Sequence, residues 1–357
     1  MDKKSLRFRK GLDEMPSYDG VERDYRIKVN ANESTMNLPP LVEERVMNRL
    51  YFVAFNRYPN EEYYSLVEQI AGNFSVRDEQ IILGNGSSEI IEKVFHTFGG
   101  EGNKVVFPVP SFSLYKIYAK AAESQAVPFE LDKKFDVDVE KFIRTVKESQ
   151  ATLAVICNPN NPTGNALTVD ALEKIASSID CAFLIDEAYV EFYGHSAFKL
   201  VAKYPNVIVA RTFSKAYGMA GARVGYAIAN ADVARMVGKS FMPYHMNTLS
   251  LAAADIVYQM RDEFTPRIQM TVAERKRMIE RLKKIPALEV FPSQTNFILI
   301  RHEKAEALKN YLESVDIGVR YFSPTAQGLK NCLRISIGVR TENDEVFKVI
   351  SDWLNQS

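Results

Sequence analysis

Lys215 stands in the segment Arg211-Thr-Phe-Ser214-Lys215-Ala-Tyr-Gly218-Met-Ala-Gly221-Ala-Arg223-Val-Gly225-Tyr226. A lysine beside a hydroxyl and amid glycines can form an imine once partial desolvation lowers its pKa. Ser214 and Arg223 are a hydroxyl and a guanidinium that can hold a phosphate. A second cluster, Asp186-Glu-Ala-Tyr189, follows the apolar run Phe183–Ile185. A carboxylate at a buried strand end is costly unless a cation faces it, and a protonated heterocyclic nitrogen would serve. A third, Asn158-Pro-Asn-Asn-Pro-Thr-Gly164, follows Leu153–Cys157. Its prolines and glycine lock a loop from which Asn161 can present an amide to a ligand. A fourth, Gly84-Asn-Gly86-Ser87-Ser88-Glu89, opens an amphipathic pattern after Ile81–Leu83. Free amides and the helix dipole favour an anion there.

Each cluster also has an ordinary reading when it stands alone. The 158–164 loop is then a plain turn, Asp186 a helix N-cap and Lys215 a solvated loop lysine. What sets them apart is the elements that must carry them. The runs Lys104–Val109, Leu153–Cys157, Phe183–Ile185 and Val207–Ala210 are continuously apolar rather than alternating. That pattern predicts strands buried on both faces of a mostly parallel sheet, with helices such as Ser87–Phe98, Val169–Ile179 and Ala231–Lys239 between them. In such an α/β sheet, ligands collect at the carboxyl ends of the strands. The polar clusters follow those ends.

Beyond about residue 255 the pattern changes to short strands and exposed helices, and a smaller α+β domain is expected over 256–357. Residues 31–255 make the large domain. Residues 1–30 form an arm that packs on the small domain or on a partner subunit. The chain has 357 residues, enough for two subdomains, and its 45 basic residues balance 45 acidic ones. No net field exists to recruit nucleic acid or an anionic membrane. Cys157, Cys181 and Cys332 are scattered and odd in number, and His96, His195, His245 and His302 show no metal spacing. The N-terminus lacks an apolar signal core and no run is long enough to span a bilayer, so a cytoplasmic location is expected.

In order and combination, these clusters resemble the fold-type I aminotransferases, enzymes that use pyridoxal 5'-phosphate (PLP). The likeness runs from about Tyr18 to Arg334. The resemblance implies that Lys215 forms the imine to the cofactor and shuttles a proton between the substrate α-carbon and the cofactor. It implies that Asp186 pairs with the pyridinium nitrogen, that Tyr189 and Asn161 bond the ring hydroxyl, and that Phe112 stacks on the ring. Gly86, Ser87, Ser88, Ser214 and Arg223 would hold the phosphate. Tyr58, in Asn56-Arg-Tyr58-Pro, would reach that phosphate from the other subunit of a homodimer with shared active sites.

Finer matches are similar to the histidinol-phosphate aminotransferase family. They are Val29-Asn30-Ala-Asn32-Glu33, Gly84-Asn-Gly-Ser-Ser-Glu89, Asp186-Glu-Ala-Tyr-Val-Glu-Phe192, Arg211-Thr-Phe-Ser-Lys-Ala-Tyr-Gly218 and Leu333-Arg334-Ile-Ser-Ile-Gly338. By that resemblance Tyr18, Asn32, Arg320 and Arg334 bind the substrates, an amino donor and a 2-oxo acid. A phosphate dianion is better held by two guanidinium groups than by one. The chain departs from the family at Ser34-Thr35, where Asn-Pro is usual, and at Ser88, where Asp is usual. An aromatic amino-acid aminotransferase and a threonine-phosphate decarboxylase share the same cofactor residues and remain alternatives. A non-catalytic PLP-binding regulator would need a DNA-binding segment for which the sequence offers neither room nor basic excess.

Overall fold

The computed structural model describes residues 23–356. Seven strands build the central sheet, in the spatial order Ile81–Gly84, Gly225–Ala229, Val207–Thr212, Ala182–Asp186, Leu153–Cys157, Lys104–Val109, Gln125–Glu130. Only Gly225–Ala229 runs against its neighbours. Alternate residues of each strand feed opposite layers. Val105, Phe107, Val155, Leu184 and Ile208 pack with the helices Gly86–Phe98 and Leu114–Ala121. Val106, Ile156, Phe183, Ile185 and Val209 pack on the other face, with Glu61–Phe74, Val139–Ser149, Val169–Ser178 and Thr248–Gln259. With both faces covered the strands read as unbroken apolar runs. Side-chain caps begin several of these helices: Asp138 accepts from the Lys141 amide at 3.0 Å and Thr168 from Ala171 at 3.2 Å.

Two strands of this central sheet escape the sequence reading. Gln125–Glu130 is half-exposed at the sheet edge and contains Pro128, which is tolerated there and weakens the strand signal. Gly225–Ala229 begins inside the glycine-containing segment after Lys215, so its start is hidden by loop residues.

The smaller sheet has four antiparallel strands in the order Arg320–Tyr321, Cys332–Ser336, Phe297–Arg301, Glu289–Val290. Its core joins Ile298, Ile300 and Ile335 to Leu308, Leu312 and Val346 of the helices Ala305–Ser314 and Arg340–Gln356. Ile27–Lys28 pairs in parallel with Ile317–Gly318, which ties residues 27–28 to this domain. Tyr258 and Phe264 belong to the large core, whereas Met278 belongs to the small one. The chain therefore passes from one unit to the other along the helix Thr265–Leu282.

Register does the positioning. In the parallel ladder Cys157 lies opposite Asp186, and Asp186 opposite Ala210. Further along, Thr212 faces Gly225, which in turn faces Gly84. The four polar clusters of the sequence thus leave the sheet at one edge.

Candidate active site

A cavity of about 490 Å³ opens at that edge. The large domain contributes Ser87, Ser88, Phe112, Asn161, Asp186, Tyr189, Ser214, Lys215 and Arg223 to its walls. Asn32 lines it from the segment before the first long helix, and Arg320 and Arg334 from the small sheet. Gly86, next to Ser87 in the chain, is not among the lining residues. Tyr58 does not line the cavity within its own chain; it is exposed and stacks on Tyr244, with ring centroids 4.1 Å apart. Tyr18 falls outside the described residues.

The Lys215 amine donates to the Ala31 carbonyl at 3.0 Å. Burial lowers its pKa to about 8, helped by the charges of Arg334 and Arg223 and opposed by Glu33. Near pH 8 about half of the amine is therefore unprotonated and nucleophilic, and near pH 7 about a tenth.

Asp186 is buried at the end of its strand. Its Oδ2 accepts from the Tyr115 hydroxyl at 2.7 Å and its Oδ1 from the Ala188 amide at 3.2 Å. Burial nonetheless pushes its pKa up to about 6. Asp186 is not the helix N-cap that it could be from sequence alone, because the short helix Val190–Tyr193 is preceded by Tyr189.

The anion cradle is built from backbone. The helix Gly86–Phe98 begins without a side-chain cap from Asn85, and Ser87 and Ser88 of its first turn line the cavity. Gly86 has φ +75°, and a Cβ there would sit 2.6 Å from Arg223 Nη2. A Cβ on Gly225 would sit 2.3 Å from the Ser87 amide nitrogen. Arg223 itself takes φ 53° and donates to Ser214 Oγ at 3.3 Å. Ser214 is braced by Thr212, whose Oγ1 accepts from the Ser214 amide at 3.1 Å.

A second network crosses between domains. Arg334 donates to Asn161 Oδ1 at 2.7 Å and to the Asn30 carbonyl at 2.6 Å. Asn32, with φ 55°, donates through Nδ2 to the Tyr189 hydroxyl at 3.1 Å and accepts from Ser336 Oγ at 3.1 Å. Asn32 thus lines the cavity with both ends of its amide engaged by protein. Arg320 stands directly opposite Arg334 in the antiparallel register. Phe112 meets Tyr115 edge-on, with centroids 5.5 Å apart.

Sequence reasoning missed Tyr115, Thr212 and the carbonyls of Asn30 and Ala31. Thr212 lay inside the segment already singled out. A backbone carbonyl leaves no residue-type signal, and Tyr115 reads as an ordinary core aromatic.

These groups fit PLP. A buried carboxylate with no cation among its hydrogen-bond partners suits a protonated pyridine nitrogen. An uncapped helix start beside a serine and an arginine suits a phosphate. A lysine amine with a lowered pKa suits an aldehyde. Fold and cavity together define the fold-type I class of PLP enzymes. Residues 26–350 match the family model for aminotransferase class I and II, and the chain belongs to that family of PLP-dependent transaminases. It is 34% identical over 343 residues to a histidinol-phosphate aminotransferase of Clostridium novyi (strain NT), covering 96% of each chain. The crystal structure of the histidinol-phosphate aminotransferase from Clostridium acetobutylicum superposes with a TM-score of 0.85 at 27% identity, covering 93% of this chain and 100% of that one. The Sinorhizobium meliloti histidinol-phosphate aminotransferase in complex with pyridoxal-5'-phosphate shares the fold, with TM-score 0.89, 23% identity and 99% coverage of both chains.

Proposed function

We propose that the enzyme transfers the amino group of histidinol phosphate to 2-oxoglutarate, giving imidazole acetol phosphate and glutamate, in histidine biosynthesis. The observation that carries this reading is the pair Arg320 and Arg334, facing each other across two strands and both lining the cavity. Two guanidinium groups suit a phosphate ester dianion, which the substrate offers in place of a carboxylate. The similarity to the histidinol-phosphate aminotransferase of Clostridium novyi supports the same choice.

When bound, PLP supplies a ring that takes up negative charge from the substrate α-carbon. Asp186 would face the pyridine nitrogen and keep a proton on it, and Phe112 would lie on the ring face. Ser87, Ser214, Arg223 and the amide at Gly86 would hold the phosphate, with Ser88 beside them. Tyr189, steadied by Asn32, and Asn161, steadied by Arg334, would meet the ring hydroxyl. Lys215 Nζ would take the proton from the substrate α-carbon and hand it on to the cofactor, a role for which a pKa of about 8 is well placed.

We also infer a homodimer with shared active sites. Exposed aromatic and methionine side chains concentrate at Tyr51, Phe52, Phe55 and Tyr58 and at Met242 and Tyr244, and the two segments meet where Tyr58 stacks on Tyr244. Beside them lies a cleft of about 400 Å³ lined by Tyr63, Tyr64 and Phe241. Exposed apolar surface on this scale marks a protein interface. Tyr58, which does not reach its own chain's cavity, is then available to the partner's. We place the enzyme in the cytoplasm on its three free thiols. No helix among the described residues is long and apolar enough to cross a membrane.

A substrate screen that follows the cofactor's visible absorption tests the reading. Histidinol phosphate should convert the band to the pyridoxamine form. Efficient conversion by phenylalanine or tyrosine without response to histidinol phosphate would overturn it, as would carbon dioxide release from threonine phosphate.

A further inference from the structure

Tyr115 belongs to none of the motifs, yet it is the nearer of the two hydrogen-bond partners of the Asp186 carboxylate. We infer that Tyr115 is a positioning residue for the cofactor ring: its hydroxyl fixes the Asp186 carboxylate and its ring braces Phe112. The inference rests on the reading that Asp186 faces the pyridine nitrogen and Phe112 the ring face.

Tyr115 is the second residue of the helix Leu114–Ala121 and is fully buried. Its own placement is fixed by aromatic neighbours behind it, Phe95 at 6.3 Å and Phe107 at 6.0 Å between centroids. From that fixed position the hydroxyl reaches Asp186 Oδ2 at 2.7 Å, while the ring presents its face or edge to Phe112 at 85°. One side chain therefore ties the group expected at the ring nitrogen to the group expected on the ring face. The hydroxyl also meets the Cys157 thiol, which burial keeps neutral, so no second charge competes for Asp186 at this point.

The chemistry follows from the donor's direction. Burial and the Asp186 charge push the phenol well above its usual range, so it remains an O–H donor at any working pH. A hydrogen bond into a carboxylate is stronger than one into a neutral acid. Tyr115 thus favours the ionised form of Asp186 against the desolvation that raises its pKa. The carboxylate is also kept from rotating, because the Ala188 amide holds the other oxygen. An ionised, oriented Asp186 is the form that can keep a proton on a pyridine nitrogen.

Tyr115→Phe removes the oxygen and keeps the ring. Three quantities are read on the purified full-length enzyme: the PLP dissociation constant, the pH dependence of the bound cofactor's visible band, and kcat with KM for the amino donor. The expected result is PLP binding weakened about tenfold, as for one lost charge-assisted hydrogen bond. The band's pH midpoint should move, and kcat should fall with KM nearly unchanged. Asp186→Asn is measured alongside, with the double variant. Tyr115→Phe should add little to Asp186→Asn if it acts through that carboxylate. Wild-type binding and a wild-type band in Tyr115→Phe, with both altered in Asp186→Asn, overturn the role of Tyr115 alone. Fully additive losses in the double variant also overturn it, because they mark a general packing effect. No change in either single variant overturns the reading of Asp186 on which the inference rests.

Discussion

Lys215 is poised by opposing influences: its amine donates to the Ala31 carbonyl while burial and two arginines disfavour its charge. Its pKa in the folded, cofactor-free protein is about 8, below the unfolded value. Below about 8 both states bind the proton, and the folded state carries the full cost of that charge. As pH rises from about 8 toward the unfolded value, the unfolded state holds more protons and stability increases. Cofactor-free Lys215→Met should therefore be more stable than wild type at pH 7, by about 2 kcal/mol after allowance for partial solvent exposure, and should lose the alkaline rise. Chemical denaturation at several pH values measures both. In the loaded enzyme, Lys215→Ala should abolish turnover and the visible band characteristic of lysine-bound PLP. Retention of either is incompatible with the role assigned to this residue.

At the scale of elements, the close approach of the Gly86–Phe98 helix to the Gly225–Ala229 strand shapes the anion cradle. Gly86 and Gly225 leave no room for a Cβ, with Arg223 and the Ser87 amide in the way. Gly86→Ala and Gly225→Ala are each expected to cost about 1–3 kcal/mol and to weaken PLP binding. Gly72, inside the helix Glu61–Phe74, has nothing within 4 Å of its would-be Cβ. Gly72→Ala should instead raise stability by up to about 1 kcal/mol with PLP binding unchanged. Thermal melts and cofactor titration of the three variants separate the two effects.

The reverse face of the active-site strands has its own electrostatics. Glu187, next to Asp186 but pointing into the opposite layer, accepts from Arg211 Nε at 3.0 Å, Ser196 Oγ at 2.7 Å and the Ala197 amide at 2.6 Å. Glu191 is less well served. Its buried Oε1 has no hydrogen-bond partner and lies 3.9 Å from Arg211 Nη1. Burial raises its pKa to about 7, with Arg211 opposing. The folded value lies above the unfolded one, so the stabilising protonated form is present below the unfolded pKa and is lost as pH rises toward about 7. Glu191→Gln should flatten that fall and stabilise the protein by about 2 kcal/mol at pH 8. Equal slopes for the two proteins would count against the assignment.

For the whole molecule, the decisive question is whether Tyr58 completes a neighbour's site. Lys215→Ala and Tyr58→Ala place their lesions in different positions of a shared site. Mixed after dissociation and reassociation, the two inactive or impaired proteins should form hybrids with one intact site, restoring about a quarter of wild-type activity for random pairing in a symmetric dimer. No recovery, with hybrids demonstrated by mass, would show that Tyr58 serves no partner. Sedimentation of the wild-type protein checks the dimer itself.

Much of this was legible before folding, because covered parallel strands leave an unbroken apolar signature and their polar carboxyl ends stand out against it. Lys104–Val109 and Leu153–Cys157 are read to the residue, and the clusters that follow the strands carry Asn161, Asp186, Ser214, Lys215 and Arg223 in plain view. The edge strand with Pro128 and the reversed strand after Arg223 are not: half-exposure and a proline blur the first, and the glycine-containing segment before it hides where the second begins. Residue types determined which chemistry was available: an amine, a carboxylate, hydroxyls and guanidinium groups. Tertiary structure decided what those groups feel and touch. Desolvation sets the protonation of Lys215 and Asp186, and desolvation depends on packing that no local pattern records. Strand register alone places Arg320 across from Arg334. Tyr115 becomes a partner of Asp186 only when a helix and a strand far apart in sequence close on one point.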